Sequence, residues 1–415
     1  MVWVAMWCFQ SYAQEKEQRL VHLGIIYPLS TNGSDAANYI NNFSLHLIGG
    51  LSGGETGACI SGFGHVTRGQ MVGAQVSGFG NVVTGAAQGV SVAGFGTVHN
   101  DIKGAQVAGF GNVAVSVKGV QYAGFGNICS DAEGVQAAGF VNVNRRMKGI
   151  QAAGFMNITR QSEGVQGAGF INVNGDVKGV QGAGFMNISS DFQGIQGAGF
   201  MNIGDVVRGV QAAGFMNIAG DVEHGVQAAG FINIAKKVNG LQVAGFINVA
   251  DSSDTPIGII NIIENGEMHL QATYDDFQNA VFALRSGGRR TYGIIGLGVT
   301  GYPQFGGRNS MLSQVGIGGQ WPMATSFKLR SELLLTTMLV TDDNDSFRRL
   351  GLSLLADASI GRFSVFAGPT LAFADVNFME PLDHWGILRE LPLENTTYPT
   401  YLLFGLQAGV SYRLR

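Results

Sequence analysis

The chain has 415 residues, enough for two or three domains. Its formal net charge is −4 and only 13% of residues are charged, which argues against a nucleic-acid or polyanion partner. Glycine reaches 64 residues, yet Val, Ile, Phe and Met recur on a schedule, which excludes a disordered glycine-rich linker.

The N-terminus reads MVWVAMWCFQSYA, an apolar run followed by small residues at Ser11 and Ala13. That pattern predicts a secretory signal cut after Ala13, so residues 1–13 are set apart from the fold. Residues 14–56 follow as an N-terminal cap, with strand-like stretches LVHLGIIYPLSTNG and NNFSLHLIGG. Cys8 would leave with the signal, and Cys59 and Cys129 stand at different places in the pattern that follows. No disulfide framework or metal spacing emerges from them.

Residues 57–263 carry an internal repeat. Its marker is Phe in a Gly-Phe pair, at 63, 79, 95, 110, 125, 140, 155, 170, 185, 200, 215, 231 and 246. The step is 15 residues, with three steps of 16, and the unit is G-[VIA]-Q-x-A-G-F-x-N-[VI] plus five variable residues. A fixed period of this size marks an array in which one unit cannot fold alone. Within the unit the alternation has period two, and two glycines per unit disfavour helix, so the reading is strand. Gln121, Ala123, Phe125 and Asn127 are expected on one face, with Val120, Tyr122 and Ile128 on the other.

Two architectures fit. In a parallel β-solenoid each unit is one coil, cornered at Gly119, Gly124 and Ser130-Asp131, with Phe, Gln and Asn stacked at ~4.8 Å steps. In one continuous antiparallel meander β-barrel each unit is a strand plus a turn. The last variable position reads Lys118, Glu133, Lys148, Glu163, Lys178, Gln193, Arg208, Glu223. A parallel stack puts these opposite charges side by side; a meander sorts them to opposite rims. Linkers of one length favour the solenoid. So does the often apolar position before the charge (Val117, Met147, Val177, Phe192, Val207, Val222), which suits a third inward-facing side.

The array closes at GIINII, 258–263, and residues 264–415 read as an antiparallel, barrel-like β domain. Strands are expected at 267–274, 279–285, 291–300, 311–320, 326–340, 347–358, 361–373 and 399–414. In the last of them Leu402, Phe404, Leu406, Ala408, Val410, Tyr412 and Leu414 alternate with Leu403, Gly405, Gln407, Gly409, Ser411 and Arg413. One apolar face against a small or polar one suits a barrel strand facing lipid, although a soluble sandwich or barrel alternates too.

At this point the chain resembles the bacterial surface repeat-containing proteins of the Gram-negative envelope. The resemblance rests on PLSTNG (28–33), SLHLIGGLSGG (44–54), the G-x-Q-x-A-G-x-x-N units, GIINII and FAGPTLAF (366–373). It implies placement in the cell envelope, at the outer membrane or the cell surface. It implies no known reaction, so no functional residue is carried over.

A search for chemistry returns little. Asp101, Asp131, Asp176, Asp191 and Asp221 recur at the third corner, where Asp is favoured because its side chain bonds nearby backbone. No paired acids stand on the strand faces, as glycoside hydrolysis requires. The seven His are scattered, and His224 reads as the inserted residue of a bulge. No catalytic, cofactor or metal residue is therefore assigned, and no cofactor is expected. The expectation is a non-enzymatic envelope protein with a scaffolding or adhesion role. Outer-membrane lipid is the expected partner of 264–415, and a protein or glycan is the expected partner of the repeat face. The competing expectation is an outer-membrane channel whose lumen is lined by the Gln and Asn face.

Overall fold

The computed structural model describes residues 16–276, 278–300, 310–338, 347–376, 387–391 and 400–414. The signal at 1–13 lies outside the described residues, as does most of the connections at 301–310, 342–346 and 374–398. The chain divides into two compact units, one ending at Gly182 and one starting at Ala183.

The first unit is a parallel β-solenoid. Glu17–Ile26 pairs in parallel with Tyr39–Ser52, which pairs in parallel with Gly54–Ser61 and Gly64–Thr67. Parallel stacking thus begins at Glu17. Among the described residues, 17–52 form the start of the stack itself, with a 3₁₀ turn at Gly33–Asn38 inserted. Further along, the register is one to one: Asn127 faces Asn142, Gly134 faces Gly149, Gln136 faces Gln151. The Phe125 amide donates to the Phe110 carbonyl at 2.9 Å, and the Phe140 amide to that of Phe125 at 2.9 Å. This register is the solenoid's, and it overturns the continuous antiparallel meander.

Each coil has three sides, because the in–out alternation breaks three times. One side runs from Gly119 to Ala123 and buries Gln121 and Ala123. The chain turns at Gly124-Phe125, then buries Asn127 and Cys129 on the second side. It turns again at Ser130, where pairing skips a residue, and buries Ala132 on the short third side. The corner before the next coil is Gly134. Its counterpart Gly119 shows what the corner demands: φ is 135°, and an added Cβ would sit 2.1 Å from the Gly104 carbonyl oxygen.

The corner at Gly124-Phe125 also corrects the expected placement of Phe. The turn takes up one beat of the alternation, so Phe125 points out while Gln121 and Asn127 point in. The Phe residues stack along this outer edge, with centroids 4.7–5.0 Å apart from Phe63 to Phe170. Inside, Gln121 donates to Gln106 at 3.0 Å, and Gln136 to Gln121 at 2.7 Å. Asn127 donates to Asn142 at 2.9 Å and to the Ala137 carbonyl at 2.8 Å. Along this run each Asn is thus matched by its copy one coil away and by backbone, and each Gln by its copy, which is what burying a polar group requires. The expected third inward side holds: Val117, Met147 and Val177 are buried. So does the charge register, with Lys118 3.1 Å from Glu133 and Lys148 3.6 Å from Glu163.

The second unit opens with more coils of the same kind, in which Asn187, Asn202, Asn217, Asn233, Asn248 and Asn261 form one ladder. His224 has φ 51° at a register shift between Glu223 and Gly225, the bulge expected of an inserted residue. After Ile263 the chain forms an antiparallel sheet. Eight strands, Glu267–Asp275, Asn279–Gly287, Thr291–Thr300, Ser310–Ala324, Phe327–Met338, Phe347–Ile360, Phe363–Val376 and Thr400–Arg413, pair in order. The first then pairs with the last, His269 opposite Arg413, so the sheet closes into a barrel. Ile387–Leu391 adds a short strand beside Thr400–Arg413.

The barrel caps the last coil. The Asn261 amide donates to Ser286 Oγ at 2.9 Å, Asn261 Nδ2 to the Ser286 carbonyl at 3.1 Å, and Thr291 Oγ1 to the Pro256 carbonyl at 2.9 Å. A parallel stack ends in unpaired backbone, and covering that edge removes a template for aggregation.

Candidate functional site

Three regions stand out: the outside of the coils, the barrel wall and a buried polar cluster in the first coils. On the coils, two sides present apolar residues outward and meet at the Phe edge. Val120, Val135 and Ile150 line one flank and Val113 and Ile128 the other, all exposed. This inverts the usual order, with amides inside and hydrocarbon outside. The apolar surface is contiguous along this run of coils.

The third side is charged and solvated. Asp101, Asp176 and Asp191 are exposed there and Asp131 and Asp221 half-buried, as expected of a corner. Asp131 is the best held. Arg146 Nε donates to it at 2.7 Å and Arg145 at 2.9 Å, and these hydrogen bonds, Arg146 first, hold its carboxyl down at about 2. The arginines already fill its lone pairs, so this corner is an ion pair of the surface.

The barrel wall is apolar outward and polar inward. Leu297, Ile317, Leu333, Leu335, Leu352, Leu354, Leu371, Phe404, Leu406 and Val410 are exposed. Trp321, Met323, Phe327, Ile360 and Phe363 gather at the rim of the hairpins closed by 325–326 and 361–362. Inward, Arg330 donates to Asp357 at 2.8 Å and to Gln271 at 3.1 Å, and it also pairs with Glu332. The Tyr292 hydroxyl donates to Glu332 at 2.9 Å, and the Arg330 guanidinium lies 4.3 Å from the Phe366 ring centre. Eight strands leave an interior that side chains fill, and these side chains fill it.

The channel expectation loses its lumen here. The Gln and Asn it relied on are 0–2% exposed and bonded to one another in ladders inside the coils.

The polar cluster was not legible as a site from residue spacing. His22, His46 and His65 are brought together in the first coils, with ring centres 4.5 Å and 5.2 Å apart in sequence order. Beside them Glu55, Cys59 and His65 place one ligand-type atom each within 4.8 Å of one another, all fully buried. Glu55 accepts from Ser44 Oγ at 2.8 and 3.0 Å and from Asn41 Nδ2 at 3.4 Å, and lies 3.4 Å from His65 Nε2. His65 Nε2 also meets Ser52 Oγ at 2.9 Å. Both ring nitrogens of His46 lack a hydrogen-bond partner among the described residues. Burial, then the neighbouring His65 and His22, hold His46 down at about 3, so its ring is neutral. Burial, then Glu55, push the Cys59 thiol up. One signal could have revealed the cluster: Cys59 stands where later coils carry Gln75, and His65 where they carry Asn81.

No family model, curated protein or solved structure matches this chain.

Proposed function

We propose that this protein is a non-enzymatic scaffold of the Gram-negative envelope, held in the outer membrane by residues 264–415. The observation that carries the reading is the inverted barrel: a hydrocarbon wall outside and a charged, hydrogen-bonded interior. In water such a wall costs free energy at every exposed Leu; in a bilayer it is the stable arrangement. The strands are long enough, since Ser310–Ala324 has 15 residues and a spanning strand needs about 9–11. The order of repeats and barrel fits the envelope resemblance as well.

The same reading gives a side. The coils join the barrel at the end where the turns are short, at 288–290, 325–326 and 361–362. The longer connections, 301–309, 339–346 and 377–399, leave the other end. Outer-membrane barrels keep short turns on the periplasmic side and long loops outside. The coils adjoining the barrel are thus periplasmic in this reading, and their apolar outer sides are where a protein or glycan partner docks. Two measurements test the proposal. Deleting 265–415 should move the protein out of the membrane fraction; unchanged recovery would refute the anchor. In intact cells a membrane-impermeant maleimide should label Ser346→Cys and spare Ser190→Cys. The reverse pattern would put the coils on the surface.

A further inference from the structure

The Glu55, Cys59 and His65 positions are equivalent places on three sides of one coil. Glu55 pairs in register with Met71, Cys59 with Gln75 and His65 with Asn81. The following coil has Ala87, Ser91 and Thr97 at these places, and the next has Ile102, Gln106 and Asn112. Everywhere along this run the places hold an apolar side chain, then two uncharged polar or hydroxyl side chains. The coil Gly54–Thr67 converts all three at once, into a carboxylate, a thiol and an imidazole.

The surroundings are shaped for the substitution. A Cβ at Gly50 would lie 2.5 Å from His46 Nδ1 and 2.6 Å from His65 Nδ1, so a glycine there makes room for both rings. The cluster also leaves donors over. Glu55, wholly buried, keeps its oxygens within 3.4 Å of His65 Nε2 and Ser44 Oγ, on the side where Cys59 converges. His46, 2% exposed, offers two unpartnered ring nitrogens beside His65. The convergence of three donor atoms and the unpartnered His46 ring point to one kind of ligand, a cation that takes nitrogen, sulfur and oxygen donors.

We propose that Glu55, Cys59 and His65, with His46 of the preceding coil as the fourth donor, bind one zinc ion near the start of the solenoid. Thiolate, imidazole and carboxylate together suit Zn²⁺ better than the oxygen-seeking Mg²⁺ or Ca²⁺. The charges close: a dication, one thiolate, one carboxylate and two neutral imidazoles sum to zero. Binding releases the Cys59 proton to solvent. An ion at bond lengths of about 2.0–2.3 Å holds tetrahedral ligands roughly 3.3–3.8 Å apart, so the Glu55, Cys59 and His65 donors, within 4.8 Å of one another, must draw in by about 1 Å, and His46, its ring centre 5.2 Å from that of His65, must turn toward them. All four donors are shut off from solvent, which makes this a structural site that staples the start of the stack.

The full chain, refolded from urea with Zn²⁺ and then dialysed, should retain about one zinc per chain by atomic emission. Refolded instead with Co²⁺, it should show a thiolate-to-cobalt charge-transfer band. The matched control combines Glu55→Met, Cys59→Gln and His65→Asn, which rewrites the coil with the residues of its neighbour and so keeps a foldable core. It should lose the metal, the band and any metal-dependent rise in thermal midpoint. Less than a tenth of an equivalent in the wild type, or no cobalt–thiolate band, would overturn the proposal whether or not the control folds. Equal metal in wild type and folded control would overturn it too.

Discussion

At the residue scale, two positions show how tightly a coil is specified. The corner at Gly119 combines a positive φ with a backbone oxygen where a Cβ would go. Gly119→Ala should therefore cost on the order of 1–3 kcal/mol, lowering the thermal midpoint. The control is Gly167→Ala, where an added Cβ meets nothing within 4 Å; it should be close to neutral, and equal losses would show that the corner is not strained. His99 lies inward, 2% exposed, with both ring nitrogens unpartnered among the described residues. Burial holds it down at about 4. The unfolded chain thus takes up a proton near pH 6.5 that the folded coil refuses until pH 4. This contribution is complete above pH 6.5 and is lost as pH falls toward 4, about 3 kcal/mol in all. His99→Val, which copies Val83 one coil earlier, should flatten the fall of thermal midpoint between pH 7 and 4. Matching profiles would clear His99 of any part in acid sensitivity.

At the element scale, the stabilising unit is the ladder, not the strand. Asn127 is bonded to Asn112, Asn142 and the Ala137 carbonyl. Asn127→Ala strands an amide on one side, a carbonyl on the other and a backbone oxygen as well. The expected loss is about 2–4 kcal/mol, whereas Asp176→Ser at an exposed corner should lie within about 0.5 kcal/mol of wild type. Chemical denaturation of both variants decides this; similar losses would mean the ladder is incidental. The elements were largely legible in the sequence. Period, third apolar side and the His224 bulge could be read from spacing, whereas the alternating charges fitted a parallel stack and a meander alike and the register decided between them. The orientation of Phe was not, because strict alternation carries no sign of where a corner takes up a residue. The Glu55–Cys59–His65 cluster was hidden for a related reason. Linear spacing of 4 and 6 residues resembles no metal motif; the residues converge only after two corners are turned.

At the scale of the molecule, two inverted designs share one chain. In the coils, amides go inside because each meets its copy a coil away. In the barrel, charges go inside because Arg330, Glu332, Asp357 and Tyr292 satisfy one another. Alternation in the 399–414 segment already told which residues share a face, but not which face is the outer one. Closure of the first strand on the last settles that Gln407 and Ser411 are inside and Leu406 and Val410 outside. If the wall faces lipid, a charge should be tolerated by depth. Leu352→Arg, mid-wall, should destabilise the barrel in vesicles by about 2–4 kcal/mol, and Ile360→Arg at the rim by about 0–1. Urea titration of tryptophan fluorescence measures both, and equal effects at the two depths would speak against a bilayer around the wall.

The one-to-one register has a further consequence, for how such a gene can vary. Excising residues 126–140 would join Phe125 to Val141 and rebuild the Asn and Gln rungs unchanged, yet it would set Lys118 beside Lys148. Excising 126–155 would set Lys118 beside Glu163 and restore attraction. Along the alternating run from Lys118 to Glu163, slippage between near-identical repeats would then be filtered by parity: losing or gaining coils in pairs keeps the charges in step, and odd-numbered changes set like charges together.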